Sequence, residues 1–191
     1  MHTSFIPTDA GVFVARFSDS GLATLSFPGR QPVDALESAV ESVPVHVQKW
    51  MKLTADAVRS IIGGKSPREM PPFDIRVGTK FQQSVWKAMS RIPFGETQSY
   101  GEIARSLGKP GATRAVGGAC GANPIPVLIP CHRVLAAHGK IGGFSGGLDW
   151  KRRLLTCEGR VPESLFEAAL SGTKIARGTP APSPALRLRG G

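Results

Sequence analysis

Two neighbouring residues with reactive side chains, Cys131 and His132, follow a short apolar run and a proline in the segment NPIPVLIPCHRV. A thiol attacks as its thiolate, so a reactive cysteine needs a base or a positive field nearby. The pair is compatible with a protease-like nucleophile, a metal ligand or a less usual nucleophile. It is equally compatible with a buried thiol beside a core histidine.

Adjacency in sequence does not place the two side chains in contact. Residues 127–129 predict a short buried strand that ends at Cys131, and neighbours on an extended segment point to opposite sides. A link between thiol and imidazole then needs a bridging water or a bend at Pro130. A histidine acting as a base also needs an acceptor that orients it. Glu158, near the end of the last predicted helix, is the best-placed carboxylate in the C-terminal half.

The chain carries a strong positive charge: among 191 residues, 24 Lys and Arg exceed 14 Asp and Glu, for a net charge of +10. Such an excess favours polyanionic partners, nucleic acid before an anionic membrane surface, although a basic protein without such a partner has the same composition. No apolar run approaches the roughly 18 residues of a membrane helix, and the N-terminus lacks a secretory signal pattern. These features predict a cytoplasmic protein without a membrane partner.

The cysteine pattern argues against both a disulfide framework and a metal site. The three cysteines, Cys120, Cys131 and Cys157, are odd in number and widely spaced. No C-x-x-C pair occurs, so a zinc site would have to be assembled from scattered residues. The sequence therefore predicts no metal.

The elements that must position these residues fall into two predicted domains and a tail. Residues 12–27 are typical of two strands joined by a turn, and residues 33–62 of a helical segment interrupted at Pro44. A Gly/Pro-rich linker over 63–74 separates this N-terminal α+β domain, residues 1–72, from a mostly helical domain, residues 73–160. Residues 161–191, rich in Pro, Gly and Arg, predict a disordered basic tail.

Two capping boxes mark helix starts in the C-terminal domain. Thr79 with Gln82 opens one helix, and Ser99 with Glu102 opens a second helix that Gly108 ends. A third helix follows a Lys-Pro-Gly turn. The second and third helices form a helix-turn-helix candidate, a pattern that non-binding helical hairpins share.

The third predicted helix, ATRAVGGACGA, has few side chains able to read base edges in a major groove. Its alanines and glycines make a thin, smooth rod that suits the minor groove and sequence-independent binding. Arg114 is its long cation and the natural candidate to wedge into a base stack, since proteins that operate on a base must extract it. Alternatively, the small residues pack the helix tightly against its neighbours and Arg114 is merely solvated.

A glycine-rich loop, GGFSGG over residues 142–147, precedes the last predicted helix. The glycines around Phe144 and Ser145 allow its backbone to approach a ligand closely, although such loops are often simple turns. The loop lacks the Gly-Lys-Ser/Thr ending of a phosphate-binding loop. Asp149 is predicted to cap the helix that follows, and Gly159 to end it.

Taken together, SYGEIARSLGKPGATRAVGGACGANPIPVLIPCHRV and GGFSGGLDWKRRLLTCEG resemble the O6-alkylguanine-DNA alkyltransferase family. The resemblance is strong from Phe81 to Gly159 and weaker over residues 1–72. It implies an α/β (α+β) two-domain fold, with a small sheet and helices in an RNase H-like N-terminal domain and a winged-helix-like helix-turn-helix in the other. It also implies a monomer without a cofactor that binds double-stranded DNA through the minor groove, largely independently of sequence.

The resemblance implies a repair protein that acts once. Cys131 matches an alkyl acceptor, which takes the alkyl group from O6-alkylguanine, and more weakly from O4-alkylthymine, and keeps it as a thioether. His132 and Glu158 match a relay in which a water links thiol and imidazole. Asn123 matches a hinge asparagine, and Tyr100 matches a tyrosine that assists the leaving guanine.

Further residues match substrate and DNA contacts of the family. The backbone carbonyls of Cys131 and Val134 correspond to acceptors for the guanine exocyclic amine, and the Ser145 N–H to a donor for O6. Phe144 lines the alkyl pocket where many relatives carry tyrosine. Arg114 matches the arginine finger that replaces the flipped nucleotide. The other residues matched to DNA contacts are Tyr100, Gly101, Lys109 and Thr113.

Three functions stay open on the sequence. The first is suicidal alkyl transfer, the second a non-catalytic sensor that flips alkylguanine and recruits other factors, and the third a Cys–His hydrolase. The thiol of Cys131 favours transfer, because a sensor needs none. A hydrolase needs an oxyanion hole, for which the sequence gives no sign.

Overall fold

The computed structural model describes residues 1–29 and 43–160. The part of the predicted first helix before residue 43 and the predicted tail, residues 161–191, lie outside the described residues. Within the described ranges, five α-helices, a three-stranded sheet and a two-stranded sheet form a mixed α/β fold.

The N-terminal sheet is antiparallel in the order β1-β2-β3, with β1 His2–Thr8, β2 Gly11–Ser18 and β3 Gly21–Ser26. The hairpin of β2 and β3 confirms the predicted pair of strands. The first strand was not predicted, because Pro7 and the polar residues of HTSFIPT obscure the alternation. Proline is tolerated there because β1 lies at the sheet edge. Ile6 of β1 pairs with Phe13 of β2, and both side chains are buried.

Helix α1, Val45–Ile62, packs on this sheet through an apolar face, and Gly63 caps its end as predicted. The linker that follows returns to β3. Leu22 donates its N–H to the Pro72 carbonyl and accepts from the Asp74 N–H, both at 2.8 Å. Gly21 allows this approach, since a Cβ there would lie 2.4 Å from the Pro72 oxygen.

Helices α2 Lys80–Met89, α3 Tyr100–Ser106 and α4 Thr113–Gly121 follow, and both predicted capping boxes are confirmed. Gly108 has a positive φ and ends α3 as predicted: its N–H bonds to Arg105, and the Lys109 N–H bonds to Ala104. The Trp86 indole N–H donates to the Ala119 carbonyl at 2.8 Å and holds α4 against α2.

Two predictions about the last part of the chain are wrong. Residues 127–129 form a buried turn instead of a strand, because Val127 takes a positive φ and the Ile129 N–H bonds back to Ile125. Helix α5, Leu148–Cys157, begins after Gly147, so Asp149 does not cap it but lies in its first turn and pairs with Arg152.

A short parallel pair, β4 Gln98–Ser99 and β5 Val134–Leu135, joins the start of α3 to the chain just after Cys131. One hydrophobic core runs from the N-terminal sheet to α5. The cysteine segment lies inside that core.

Candidate active site

Cys131 is the first residue of a 3-10 turn, Cys131–Arg133, and is 3% exposed. The expectation of an extended segment at this point is therefore wrong. Its consequence holds, since no hydrogen bond joins the Cys131 and His132 side chains and each has a different partner. The cysteine N–H bonds to the Ile129 carbonyl at 2.8 Å, so the buried turn sets the position of the thiol.

Asn123, directly after α4, connects that helix to the thiol. Its side-chain amide donates to the Ile129 carbonyl at 2.8 Å and to Cys131 Sγ at 3.2 Å, and its oxygen accepts from the Ile125 N–H at 3.0 Å. All polar atoms of this buried side chain are thus used within the turn. A donor at Sγ favours the thiolate over the thiol.

His132 is fully buried, and its Nε2 lies 2.9 Å from Glu158 Oε1. Burial lowers the pKa of His132 despite the neighbouring carboxylate, so the ring is neutral at neutral pH. Because a carboxylate only accepts, Nε2 carries the proton and Nδ1 is the acceptor. Nδ1 is buried and has no hydrogen-bond partner among the described protein groups. The bond to Glu158 thus fixes the orientation of the ring, and Nδ1 is its basic atom.

Arg133 was not singled out from the sequence, yet it holds the carboxylate of Glu158 in place. Its Nε and Nη2 lie 2.9 Å from the two oxygens of Glu158, and its Nη1 donates to the Ile92 carbonyl at 2.7 Å. Burial alone would raise the pKa of Glu158, but the hydrogen bonds from His132 and Arg133 hold it at about 2. The carboxylate is therefore ionised, with two buried partners.

Lys151 is a second residue of the site that was not predicted from the sequence. It is fully buried, and its Nζ donates to the Val134 carbonyl at 2.6 Å and to the Gly143 carbonyl at 3.3 Å. Burial lowers its pKa to about 8. Helical spacing was an available signal, since Lys151 lies three and four residues before the inward-facing Leu154 and Leu155.

The thiol of Cys131 is protonated at neutral pH. Burial raises its pKa to about 11, while the Asn123 bond, the Lys151 charge and nearby backbone N–H groups act in the opposite direction. A nucleophile in this state needs a base that takes its proton as it attacks.

A pocket of about 160 Å³ opens beside the thiol. Tyr100 lines it at the start of α3, half-buried, with its hydroxyl 3.4 Å from the Gly143 carbonyl. Burial and the neighbouring cysteines raise the pKa of Tyr100, which keeps the phenol protonated. The residues around the pocket are Tyr100, Gly117, Cys120, Gly121, Cys131, Gly143, Phe144 and Ser145.

Three of the residues matched to substrate contacts, Cys131, Phe144 and Ser145, line this pocket, and Val134 begins β5 three residues after Cys131. The Cys131 carbonyl accepts from the Val134 N–H, and the Val134 carbonyl accepts from Lys151. Phe144 is partly buried and Ser145 is exposed, and both line the pocket.

Helix α4 presents a smooth outer face. Arg114, Gly117, Gly118 and Gly121 follow helical spacing, Arg114 is exposed, and a Cβ added at any of the three glycines would meet no atom within 4 Å. The glycines therefore do not serve tight packing, which rests on the buried Val116 and its inward neighbours. Of the two readings of this helix, the structure favours the open rod.

The other residues matched to DNA lie on the same part of the molecule. Thr113 is exposed at the start of α4, and Gly101 is partly buried in the first turn of α3. Lys109, in the turn between these helices, is exposed and lies over the Phe81 ring at 5.4 Å. Arg114 makes no ion pair or hydrogen bond with any residue in the described ranges. The residues matched to DNA contacts thus lie at the surface of the helix-turn-helix, whereas the residues around Cys131 are buried.

Residues 1–29 and 43–160 contain no helix long and apolar enough to cross a membrane. In the same ranges, no three His, Cys, Asp or Glu side chains converge as a metal ion requires.

Comparison with known proteins gives consistent matches. The family model of the 6-O-methylguanine DNA methyltransferase DNA-binding domain matches residues 80–160. A methylated-DNA–protein-cysteine methyltransferase of Mycolicibacterium paratuberculosis is 44% identical over 158 residues, 78% of this chain and 95% of the relative. One of Methanosarcina acetivorans is 36% identical over 163 residues, 83% of this chain and 99% of the relative. The crystal structure of Mycobacterium tuberculosis OGT in complex with DNA has a TM-score of 0.68 and 38% identity, covering 86% of this chain and 98% of that chain.

Proposed function

This chain belongs to the methylated-DNA–protein-cysteine methyltransferase family, and we propose that it repairs O6-alkylguanine in DNA with Cys131 as the alkyl acceptor. The alkyl group passes from DNA to a cysteine of the protein itself. The observation that carries the assignment to Cys131 is its place in the pocket, next to the Asn123 amide and in one buried turn with His132. The same chemistry extends, more weakly, to O4-alkylthymine.

The proton of the thiol leaves through His132. A water between Sγ and Nδ1 would satisfy the buried Nδ1, accept the thiol proton and pass a proton to the ring. Glu158 accepts a hydrogen bond from the Nε2–H group and stabilises the imidazolium as it forms. Arg133 keeps that carboxylate in position.

The alkyl group moves in one displacement. Sγ of Cys131 bonds to the alkyl carbon as the bond from that carbon to guanine O6 breaks, and its electrons leave with the base. Tyr100 donates a hydrogen bond or a proton to the departing guanine. The Val134 and Cys131 carbonyls take the exocyclic amine, and the Ser145 N–H faces O6. The thioether product has no leaving group that this site can displace, so each molecule acts once.

The smooth face of α4 supports binding in the minor groove. Its glycines leave the helix backbone open, and this face runs to the pocket, because Gly117 and Gly121 line both. We assign Arg114 as the side chain that replaces the flipped nucleotide in the base stack. Thr113, Lys109, Gly101 and Tyr100 lie on the same helix-turn-helix and would contact the DNA backbone. None of these groups reads a particular base.

The finer architecture belongs to the same proposal. Residues 1–72 would form an RNase H-like domain, residues 73–160 a winged-helix-like DNA-binding and acceptor domain, and residues 161–191 a basic tail. We propose a monomer that works in the cytoplasm without a cofactor. Three free cysteines among the described residues agree with a compartment that keeps thiols reduced.

Intact-mass and peptide mass spectrometry after mixing with a duplex that contains O6-methylguanine tests the assignment. We expect one methyl group on the Cys131 peptide and none on the peptides of Cys120 and Cys157. Cys131→Ser should bind the duplex and gain no methyl. Transfer to another cysteine, or more than one repaired base per protein molecule, would contradict the proposal. Tight binding without transfer would favour the lesion sensor.

The role of Arg114 needs a comparison of substrates. Arg114→Ala should slow repair of the duplex about 10²-fold or more and leave reaction with a free base analogue nearly unchanged, because base extraction is needed only in the duplex. Arg68→Ala removes an exposed arginine outside the helix-turn-helix and controls for net charge. Equal losses on both substrates would exclude the finger role.

A further inference from the structure

A cluster of four aromatic rings joins the N-terminal sheet to the loop that lines the pocket. Phe27, directly after β3, lies 5.8 Å from Phe144 and 4.8 Å from Trp150 between ring centroids. Phe13 of β2 lies 5.7 Å from Phe27 and 5.4 Å from Trp150. Phe13 and Phe27 are both buried, so Phe144, which lines the pocket, packs against the hydrophobic core on its other side.

The backbone of the same loop runs between two of these rings. A methyl group at Gly146 would lie 2.5 Å from the Phe144 ring and 2.6 Å from the Phe27 ring. The rings therefore hold the chain at the residue that follows Ser145. Because protein interiors are close-packed, a ring in such contact transmits its position to the chain it touches.

The same stretch of chain is also bonded to the segment that leads to the thiol. The Leu25 N–H donates to the Pro124 carbonyl at 2.9 Å. Pro124 follows Asn123, whose amide bonds to the Cys131 sulfur. Residues 25–27 are thus linked to the thiol through the Leu25–Pro124 bond and the neighbouring Asn123, and to Phe144 through Phe27.

From these contacts we propose that residues 25–27 hold the pocket at a fixed width and that Phe27 is a positioning residue that limits the size of the alkyl group accepted. The inference rests on the proposed function of Cys131. The pocket of about 160 Å³ is close to the cavity of roughly 150 Å³ that holds one benzene molecule. A flipped base would occupy most of a space of this size and leave room for a small alkyl group beside the thiol. A benzyl group needs Phe144 to move outward, and Phe27 opposes that movement.

The test compares two substitutions of the same kind. Phe27→Met keeps most of the apolar volume and replaces a rigid ring by a flexible chain. Phe17→Met is the matched control, because Phe17 is a fully buried phenylalanine of the same sheet with no ring contact to Phe144. Single-turnover rates of Cys131 alkylation are measured with O6-methylguanine and with O6-benzylguanine in the same duplex, and thermal melting checks that each variant is folded.

In Phe27→Met we expect methyl transfer to slow about tenfold, since a displacement near 1 Å can cost up to about 10²-fold. Benzyl transfer should keep about the same rate, so that the benzyl-to-methyl rate ratio rises about tenfold. Phe17→Met should leave this ratio unchanged. An unchanged ratio in folded Phe27→Met, or an equal rise in both variants, would overturn the positioning role. Phe27→Leu provides the same test if the methionine variant does not fold.

Failure of the underlying function has a different signature. If the unaltered protein gains no methyl on Cys131 from O6-methylguanine, the proposed function is wrong, whatever the ratios show. If it gains one methyl and the ratio does not respond to Phe27, only the positioning role is wrong.

Discussion

Replacing Glu158 with glutamine removes the negative charge that pairs with the buried guanidinium of Arg133 and accepts a hydrogen bond from His132. Its carboxylate bonds to Arg133 through both oxygens at 2.9 Å and to His132 at 2.9 Å. Glutamine has nearly the same shape, so the change is one of charge and hydrogen bonding. Removing one partner of a buried ion pair costs about 3–5 kcal/mol, because the other charge stays buried and uncompensated.

The lowered pKa of Glu158 gives a similar value for the loss of folding stability. A carboxyl whose pKa falls from an ordinary 4.5 to about 2 on folding stabilises the fold by about 3 kcal/mol at neutral pH. Its folded pKa is depressed, so this stabilisation is present above pH 4.5 and is lost as the pH falls through about 2. The deficit of Glu158→Gln should therefore be about 3 kcal/mol at pH 7 and shrink toward zero near pH 2.

Urea unfolding followed by circular dichroism at a series of pH values measures this difference. Glu96→Gln is the matched control, because Glu96 pairs with Arg160 at the surface, with a side chain that is 60% exposed. Its loss should cost less than about 1 kcal/mol. The reasoning is refuted if both variants lose similar stability at pH 7, or if the deficit of Glu158→Gln does not change with pH.

The remaining predictions concern the helix and the thiol. Gly118→Ala should raise the free energy of unfolding by about 0.5–1 kcal/mol, because the exposed site is open and alanine favours helix; Gly118→Leu should weaken duplex binding in a fluorescence titration without loss of stability. Lys151→Met should slow methyl transfer about tenfold in single-turnover assays, since its charge lowers the pKa of Cys131; an unchanged rate would exclude that effect. Asn123→Ala should cost roughly 1–3 kcal/mol in urea unfolding, because it leaves buried partners unpaired, and should slow the reaction of Cys131 with iodoacetamide.

Local signals in the sequence were sufficient for several of the helices. A capping box spans four residues, so Thr79 with Gln82 and Ser99 with Glu102 located two helix starts without knowledge of the fold. The Pro-Cys-His-Arg-Val segment likewise predicts Cys131 as the alkyl acceptor. The predicted strand at 127–129 was wrong because these apolar residues are also typical of a buried strand, and the positive φ of Val127 cannot be read from composition.

The sequence by itself determined which chemical groups are available: a thiol, an imidazole, a carboxylate and a helix made mostly of small residues. The tertiary structure alone decided which of them meet. Arg133 and Lys151 are charged residues that would ordinarily be exposed. Partners distant in the chain, among them Glu158 for Arg133 and the Val134 carbonyl for Lys151, make their burial tolerable. The contact of Phe27 with Phe144 likewise joins segments far apart in the chain. Such pairings depend on the packing of the whole core, since the free energy that selects them is shared among many contacts and is not encoded at either residue.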